Sequence, residues 1–269
     1  AVRSVGSSAG SVTMRRLLFR SAGASVAAGA AFVAAERPAQ AAFFSSSPTY
    51  ELKYFDGKGA VETSRLLMAL SETKFTDTRW AMDMSKPYGQ RCAGFMTAQA
   101  SGDLQANLDR APILVVDGVE AIGESKAIER FLARRCGLMG KTDVEAAQID
   151  AFCEHIRDLK EKYGSASDKA KFASETLPAL LRKMEKKAGE TALVGQALSL
   201  ADVALYEIVC EHFPARAAYM KGKGEGCAAT LSSDAMLKDC PKLARAVEAV
   251  KTHPGVAKHL ASRHYTAPW

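Results

Sequence analysis

Beyond Gly140 nothing in the chain alternates apolar with polar residues; the apolar positions mostly step by three and four. Val144, Ile149, Phe152, Ile156, Leu159 and Tyr163 predict one long amphipathic helix, because a 3.6-residue turn puts such positions on one face. Leu177, Leu180, Leu181 and Met184 predict another. Ser199-Leu200-Ala201-Asp202 opens a third as a capping box, with Asp where Glu or Gln is usual. Leu243, Val247 and Val250 predict a fourth, stopped by Pro254.

Ahead of Gly140 the period changes. Tyr50-Glu51-Leu52-Lys53-Tyr54 alternates with period two, the pattern of a half-buried strand. Asp56-Gly57-Lys58-Gly59 is a turn, and Val61, Leu66, Leu67, Ala69 and Leu70 predict a helix with Glu62 near its positive end. Phe75 to Trp80 reads as a second strand. Ile113–Val116, Asp117-Gly118 and Val119–Ile122 read as strand, turn and strand, and Ser125 opens a helix with Ile128, Phe131 and Leu132 on one face. Residues 81–110 read as a long polar, irregular loop, and 214–237 as an insertion between C-terminal helices. The expected class is α+β: a βαβ…ββα half followed by an all-helical half.

Charge narrows the function. The net charge is +6, but residues 1–41 carry five Arg (3, 15, 16, 20 and 37) against Glu36, which leaves +2 on the other 228 residues. A body so nearly balanced gives no electrostatic case for binding nucleic acid. Cysteines stand at 92, 136, 153, 210, 227 and 240, with no C-x-x-C pair and no His at ligand spacing, so no metal site is expected. An even number leaves a disulfide framework open. With 48% apolar residues the core is ample without staples, and buried free thiols are the expectation.

The leader has its own composition. Residues 1–35 contain no acid, are rich in Ser and Ala, and hold four arginines, as organelle-import segments do. Within it, Arg15-Arg16, a small apolar run over Ala22–Ala35 and Ala39-Gln40-Ala41 resemble a twin-arginine export signal cleaved after Ala41. An import-like prefix ahead of an export-like signal is how proteins are addressed to the thylakoid lumen of plastids. A mitochondrial presequence and a plain secretory signal are the alternatives. Retention as an anchor is a third, although residues 21–35 fall short of the roughly 20 apolar residues of a spanning helix.

After the leader, five pieces in order carry a family resemblance. They are Tyr50–Phe55, Ala111-Pro112-Ile113-Leu114, Glu124-Ser125-Lys126-Ala127-Ile128, Leu193–Asp202, and Cys240-Pro241-Lys242-Leu243 through His253-Pro254. Over roughly residues 49–264 the chain resembles a glutathione S-transferase. The resemblance implies a leader or anchoring segment with its linker over 1–47, a thioredoxin-like glutathione-binding domain over 48–138 and a helical domain over 139–269. The Tyr54-Phe55 strand end is nearest the sigma-like, tyrosine-dependent enzymes.

In that resemblance Tyr54 donates its phenol hydrogen to the glutathione sulfur. Glu124 and Ser125 hold the γ-glutamyl end, where a helix opening already favours a carboxylate. A cis Pro112 frees the Ala111 backbone to pair with the cysteinyl unit, and Trp80 and Lys86 are candidates for gripping the glycyl end. Glutathione is the implied co-substrate, and a small-molecule electrophile, apolar or a peroxide, is the acceptor. That acceptor is expected between the halves, lined partly by the 144–163 helix. A two-fold homodimer is implied, which the 81–110 insertion could block. His155, His212 and the Lys183–Lys187 run are expected to be structural or solvated.

One departure stands out: Ala60 occupies the place of a basic residue that supports the thiolate, with Lys58 as a partial substitute. The competing expectation is therefore a non-catalytic interaction subunit of the same fold. It would attach to a photosynthetic membrane complex through the leader and the 81–110 and 214–237 insertions.

Overall fold

The structure is a computed structural model, and it describes residues 48–222 and 228–265. The leader expected over residues 1–47 lies outside the described residues. A four-stranded sheet is built from β1 (Tyr50–Phe55), β2 (Thr76–Trp80), β3 (Ile113–Val116) and β4 (Glu120–Gly123), in the order β2-β1-β3-β4. β1 runs parallel to β2 and antiparallel to β3, and β3 and β4 form the expected hairpin. Between β1 and β2 lies α1 (Glu62–Leu70), entered through a 3-10 turn at Gly59–Val61.

Alternation assigns the faces of the sheet. Leu52 and Leu114, paired across β1 and β3, are both fully buried and join the main core with Leu66, Leu67 and Ile128. That core face is covered by α1 and by α3 (Ser125–Arg135). Ile113 and Val115 point the other way, into a second cluster with Ala98, Leu104, Trp80 and Phe95. Buried on both faces, β3 is a continuous Ile-Leu-Val-Val run rather than an alternating one.

The second face corrects the reading of 81–110. This segment holds a nine-residue helix, α2 (Ala93–Ser101), closed by Gly102 in the left-handed conformation. Its sequence, Ala-Gly-Phe-Met-Thr-Ala-Gln-Ala-Ser, spreads small and apolar residues around the helix without a stripe, so periodicity could not reveal it. The segment is an irregular, exposed stretch followed by a crossover helix that covers the sheet.

Among its described residues the C-terminal part has helices and no strand, with an irregular stretch over 188–199. α4 (Asp143–Ser165) buries Ile149, Phe152, Ile156, Leu159 and Tyr163, and its N-cap Thr142 accepts the Glu145 N–H. A single turn, α5 (Lys169–Lys171), and a π turn at Phe172–Thr176 lead into α6 (Leu177–Lys187). Every residue of α7 (Leu200–Tyr206) is buried. Its capping box forms as expected, and the Asp202 carboxylate additionally accepts the Leu193 N–H at 2.8 Å.

α7 continues into a π turn at Glu207–His212 and then α8 (Phe213–Gly222). The presumed insertion over 214–237 is thus largely helical. It comprises α8, a 3-10 turn at Ala228–Leu231 and α9 (Ser233–Leu237), with Leu231, Met236 and Leu237 buried; residues 223–227 lie outside the described residues. α10 (Pro241–Thr252) ends ahead of Pro254, which opens α11 (Pro254–Ser262). α11 lies so close to α1 that a Cβ on Gly255 would sit 2.0 Å from the Ala69 carbonyl oxygen, so only glycine permits the contact.

Cys92, Cys136, Cys153, Cys210 and Cys240 are free, and Cys227 lies outside the described residues. Among the described residues no helix is long and apolar enough to cross a membrane, and no side-chain cluster could hold a metal ion.

Candidate active site

Strand register gathers the expected site residues at one end of the sheet. Phe55 pairs with Trp80, so the ends of β1 and β2 lie side by side. Lys53 pairs with Ile113, and Ile113 with Gly123. One step further along each strand therefore come Tyr54, Pro112 and Glu124, with Ser125 beginning α3. Lys86 lies beyond this edge, in the exposed stretch that follows β2.

Tyr54 is half-buried, and its hydroxyl oxygen accepts the Ala60 backbone N–H at 3.1 Å. Gly59 makes that contact feasible. Its φ is +48°, and a Cβ there would fall 2.6 Å from the Tyr54 hydroxyl. Burial pushes the Tyr54 phenol above its ordinary pKa, with the Ala60 hydrogen bond and the Arg65 charge pulling partly back. The phenol therefore stays protonated at neutral pH. With its oxygen engaged as an acceptor, it still has an O–H to donate.

At the neighbouring corner, the Ala111–Pro112 peptide is cis, and the Pro112 carbonyl accepts from Asn107 Nδ2 at 3.0 Å. Glu124, the N-cap of α3, has φ +65°, a conformation that non-glycine residues rarely hold and that concentrates at functional sites. Its carboxylate pairs with Arg110 at 2.5 Å instead of capping the helix. The first turn of α3 contains no acid, so its backbone N–H groups present an uncompensated positive end.

Other expected residues have different surroundings. The Trp80 ring packs against Phe55 and Phe95 at 6.1 and 5.7 Å, within the aromatic cluster beneath α2. Lys86 is exposed. Lys58, read as a partial substitute for a basic residue at position 60, has its ammonium 2.5 Å from Glu211, which neutralises it. His212 is held neutral: burial, with Lys160, Arg216 and Lys126 nearby, pushes its pKa down to about 3.

A cavity of about 620 Å³ is bounded by α4 and α6 and lined by Phe152, Leu159, Leu180, Met184 and Leu193. Lys183, Lys187 and His155 line it as well and are exposed, as expected of a solvated face. It contains none of the expected glutathione residues.

Sequence reading missed the polar groups that hold the Tyr54 loop. Arg65 is completely buried, donates to the Gly57 carbonyl at 2.7 Å and pairs with Asp77 at 3.1 Å. Glu62, also completely buried, pairs with Arg263 at 2.5 Å. An arginine and a glutamate three apart at a helix start look like an ordinary exposed pair in sequence; only a distant partner makes their burial tolerable.

Comparison with known proteins gives the family. A sequence profile described as "Glutathione S-transferase, C-terminal domain" matches residues 150–263. Glutathione S-transferase 2 of Onchocerca volvulus is 33% identical over 175 residues, covering 61% of this chain and 77% of the relative. The chain belongs to the glutathione S-transferases. Glutathione S-transferase 1 of Ascaris suum is 31% identical over 180 residues, covering 59% of this chain and 77% of the relative. The solved Pi-class glutathione S-transferase of Onchocerca volvulus superposes with a TM-score of 0.60 at 28% identity, over 80% of this chain and 93% of that one. The thioredoxin-like sheet followed by helices is thus the transferase fold.

Proposed function

We propose that this glutathione S-transferase binds glutathione at the sheet end and activates its thiol through Tyr54. The observation that supports this is the register that brings Tyr54, Ala111-Pro112 and the start of α3 together. A free thiol with a pKa of about 8.5 is mostly protonated at neutral pH. A phenol O–H donating to sulfur favours the anion, and each unit of lowering is about 1.4 kcal/mol. The thiol proton leaves to solvent. The thiolate lone pair forms the new S–C bond to an electrophilic apolar acceptor, and the acceptor's displaced electron pair leaves with its departing group or moves onto its conjugated oxygen.

In this proposal the γ-glutamyl carboxylate sits on the α3 N-terminus at Ser125, beside Glu124. The Ala111 backbone pairs with the cysteinyl unit, and Trp80 and Lys86 serve the glycyl end. The 48–138 and 139–269 division, a sigma-like tyrosine mechanism and a homodimer belong to the same proposal. Thylakoid addressing rests on the composition of residues 1–47. It is tested by where a fluorescent fusion of that segment is carried in plastid-bearing cells.

Calorimetric titration of glutathione into the full chain tests the site. The expected result is binding in the micromolar-to-millimolar range that is lost with Ser125→Ala. A thiolate absorbance is expected that Tyr54→Phe diminishes by about ten- to a hundredfold at neutral pH. No binding up to about 10 mM, thousands of times weaker than a micromolar ligand, would sink the transferase reading. One observation favours a second reading, a non-catalytic interaction subunit: position 60 carries no basic side chain and Lys58 is neutralised by Glu211. Glutathione binding with no thiolate signal would select it.

A further inference from the structure

The C-terminal segment His259–Tyr265 converges on the loop that holds Tyr54. Inside the first turn of α1, the Glu62 carboxylate takes Arg263 Nη1 at 2.5 Å, the Tyr265 hydroxyl at 2.7 Å, His259 Nε2 at 3.2 Å and Arg65 Nη1 at 3.4 Å. Glu211, in the π turn after α7, takes Lys58 Nζ at 2.5 Å, Arg263 Nη2 at 2.6 Å and the Tyr206 hydroxyl at 3.3 Å. One guanidinium therefore bridges two buried carboxylates on separate elements. The His264 carbonyl accepts Arg79 Nη1 at 2.6 Å, and Arg79 also holds Asp56 at 2.9 Å. The Tyr265 ring lies 5.1 Å from the Arg65 guanidinium and 5.5 Å from that of Arg79.

Traced along the loop, these contacts leave little slack. Asp56 is held through Arg79, the Gly57 carbonyl through Arg65, Lys58 through Glu211, and Glu62 directly. Between Lys58 and Glu62 lies Ala60, whose N–H reaches the Tyr54 hydroxyl. We propose that residues 259–265 form a strap in which Arg263 is a positioning residue. By tying Glu62 to Glu211, it holds the 56–62 loop where the Ala60 N–H meets Tyr54. The strap supports the phenol by backbone placement, in a chain whose position 60 carries no basic side chain to support the thiolate. Lysine can replace arginine only in part here: it keeps the charge, but only the planar fork presents two nitrogens to two carboxylates in a fixed geometry.

The catalytic consequence rests on the thiolate reading above; the positional one does not. The full chain, Arg263→Gln and Arg263→Lys are compared by backbone amide exchange over residues 56–62. The bound-glutathione thiolate titration and the kcat and KM with a chloronitrobenzene acceptor are measured alongside. Arg263→Gln is expected to speed exchange in the loop at least about tenfold and to raise the bound thiol pKa by about one unit, a tenfold loss of thiolate at neutral pH. The loss falls on kcat, with the KM for glutathione changed less than about threefold; Arg263→Lys falls between parent and Arg263→Gln.

Unchanged loop exchange and thiol pKa in a folded Arg263→Gln protein overturn the proposal, whatever its melting temperature. If Arg263→Gln does not fold, Tyr265→Phe removes one donor from Glu62 and is expected to shift both readouts in the same direction by less. No shift there overturns the proposal equally. If the parent binds no glutathione, the transferase reading falls, and amide exchange alone decides the strap.

Discussion

Two segments leave neighbouring strands at the same end of the sheet, and they are held in opposite ways. The one after β1, residues 56–62, is half to fully buried apart from Ala60, and its polar groups are fixed by partners far along the chain. The one after β2 is exposed at every residue from Asp83 to Gln90. Its hydrogen bonds and ring contacts are local: Ser85 on Asp83, Arg91 on the Lys86 carbonyl, and the Arg91 guanidinium over Tyr88 at 5.8 Å. Both bear on the proposed glutathione site: the first carries Ala60, the hydrogen-bond partner of Tyr54, and the second carries Lys86. A catalytic hydrogen bond needs a group fixed to within a fraction of an ångström, whereas a charge contact at a substrate's tail tolerates a mobile one.

The contrast is sharpest at Glu62. Replacing it with Gln leaves Arg263 and Arg65 buried beside a neutral amide, and breaking a buried pair in this way costs about 3–5 kcal/mol. A drop of that size in chemical unfolding is the expected result, the largest for any single change in either segment. The pH dependence follows. Burial alone would push the Glu62 carboxyl up, but His259, Tyr265, Arg263 and Arg65 outweigh it and hold it at about 2, below the 4.5 of an unperturbed glutamate. A carboxyl with a depressed pKa contributes stability that is present above the unfolded value and lost as pH falls through the folded one. The parent is therefore expected to lose up to roughly 3 kcal/mol between about pH 4.5 and 2 from this group. Glu62→Gln should lack that component. Superimposable acid-unfolding slopes would show that the cluster does not stabilise the fold as described.

Gly59→Ala is expected to have a smaller effect on stability and a disproportionate one on activity. The added methyl would meet the Tyr54 hydroxyl at 2.6 Å and Cε1 at 2.7 Å, from a backbone with φ +48°. Strain of this kind costs about 1–3 kcal/mol. Displacing the Tyr54 ring should cost more than tenfold in turnover, as a misplaced catalytic group does. Parent-like turnover in Gly59→Ala would mean that the loop and the phenol are not coupled.

The same contrast explains what could be read from the residues alone. The strands, the β3–β4 turn, the long α4 stripe and the Ser199–Asp202 capping box are written in neighbours a few positions apart, and each is where its period places it. Tyr54, Pro112 and Ser125 came from the family pattern, and strand register brings them together. The ties that make the first loop rigid join residues 153 and 201 positions apart, Lys58 to Glu211 and Glu62 to Arg263. No local period encodes such a pair, and in sequence each member looks like surface charge. α2 escaped for a different reason: its small residues are chosen to lie flat on the sheet over Trp80, Ile113 and Val115, which leaves no amphipathic stripe to detect.

The smallest effect is expected in the second segment. Lys86→Ala and Tyr88→Ala remove exposed side chains, and each should change unfolding stability by less than about 0.5 kcal/mol. Lys86→Ala then isolates the ligand contribution. If the lysine meets the glycyl carboxylate, the Kd for glutathione should rise several-fold at low salt. The difference from the parent should shrink at about 0.5 M salt, because an exposed charge contact is screened over a few ångströms there. Tyr88→Ala, two positions away, should leave the Kd unchanged. Equal affinities for parent and Lys86→Ala at low salt would remove Lys86 from the site. The glycyl end would then fall to the anchored residues of the sheet edge, and the second segment would have no part in holding glutathione.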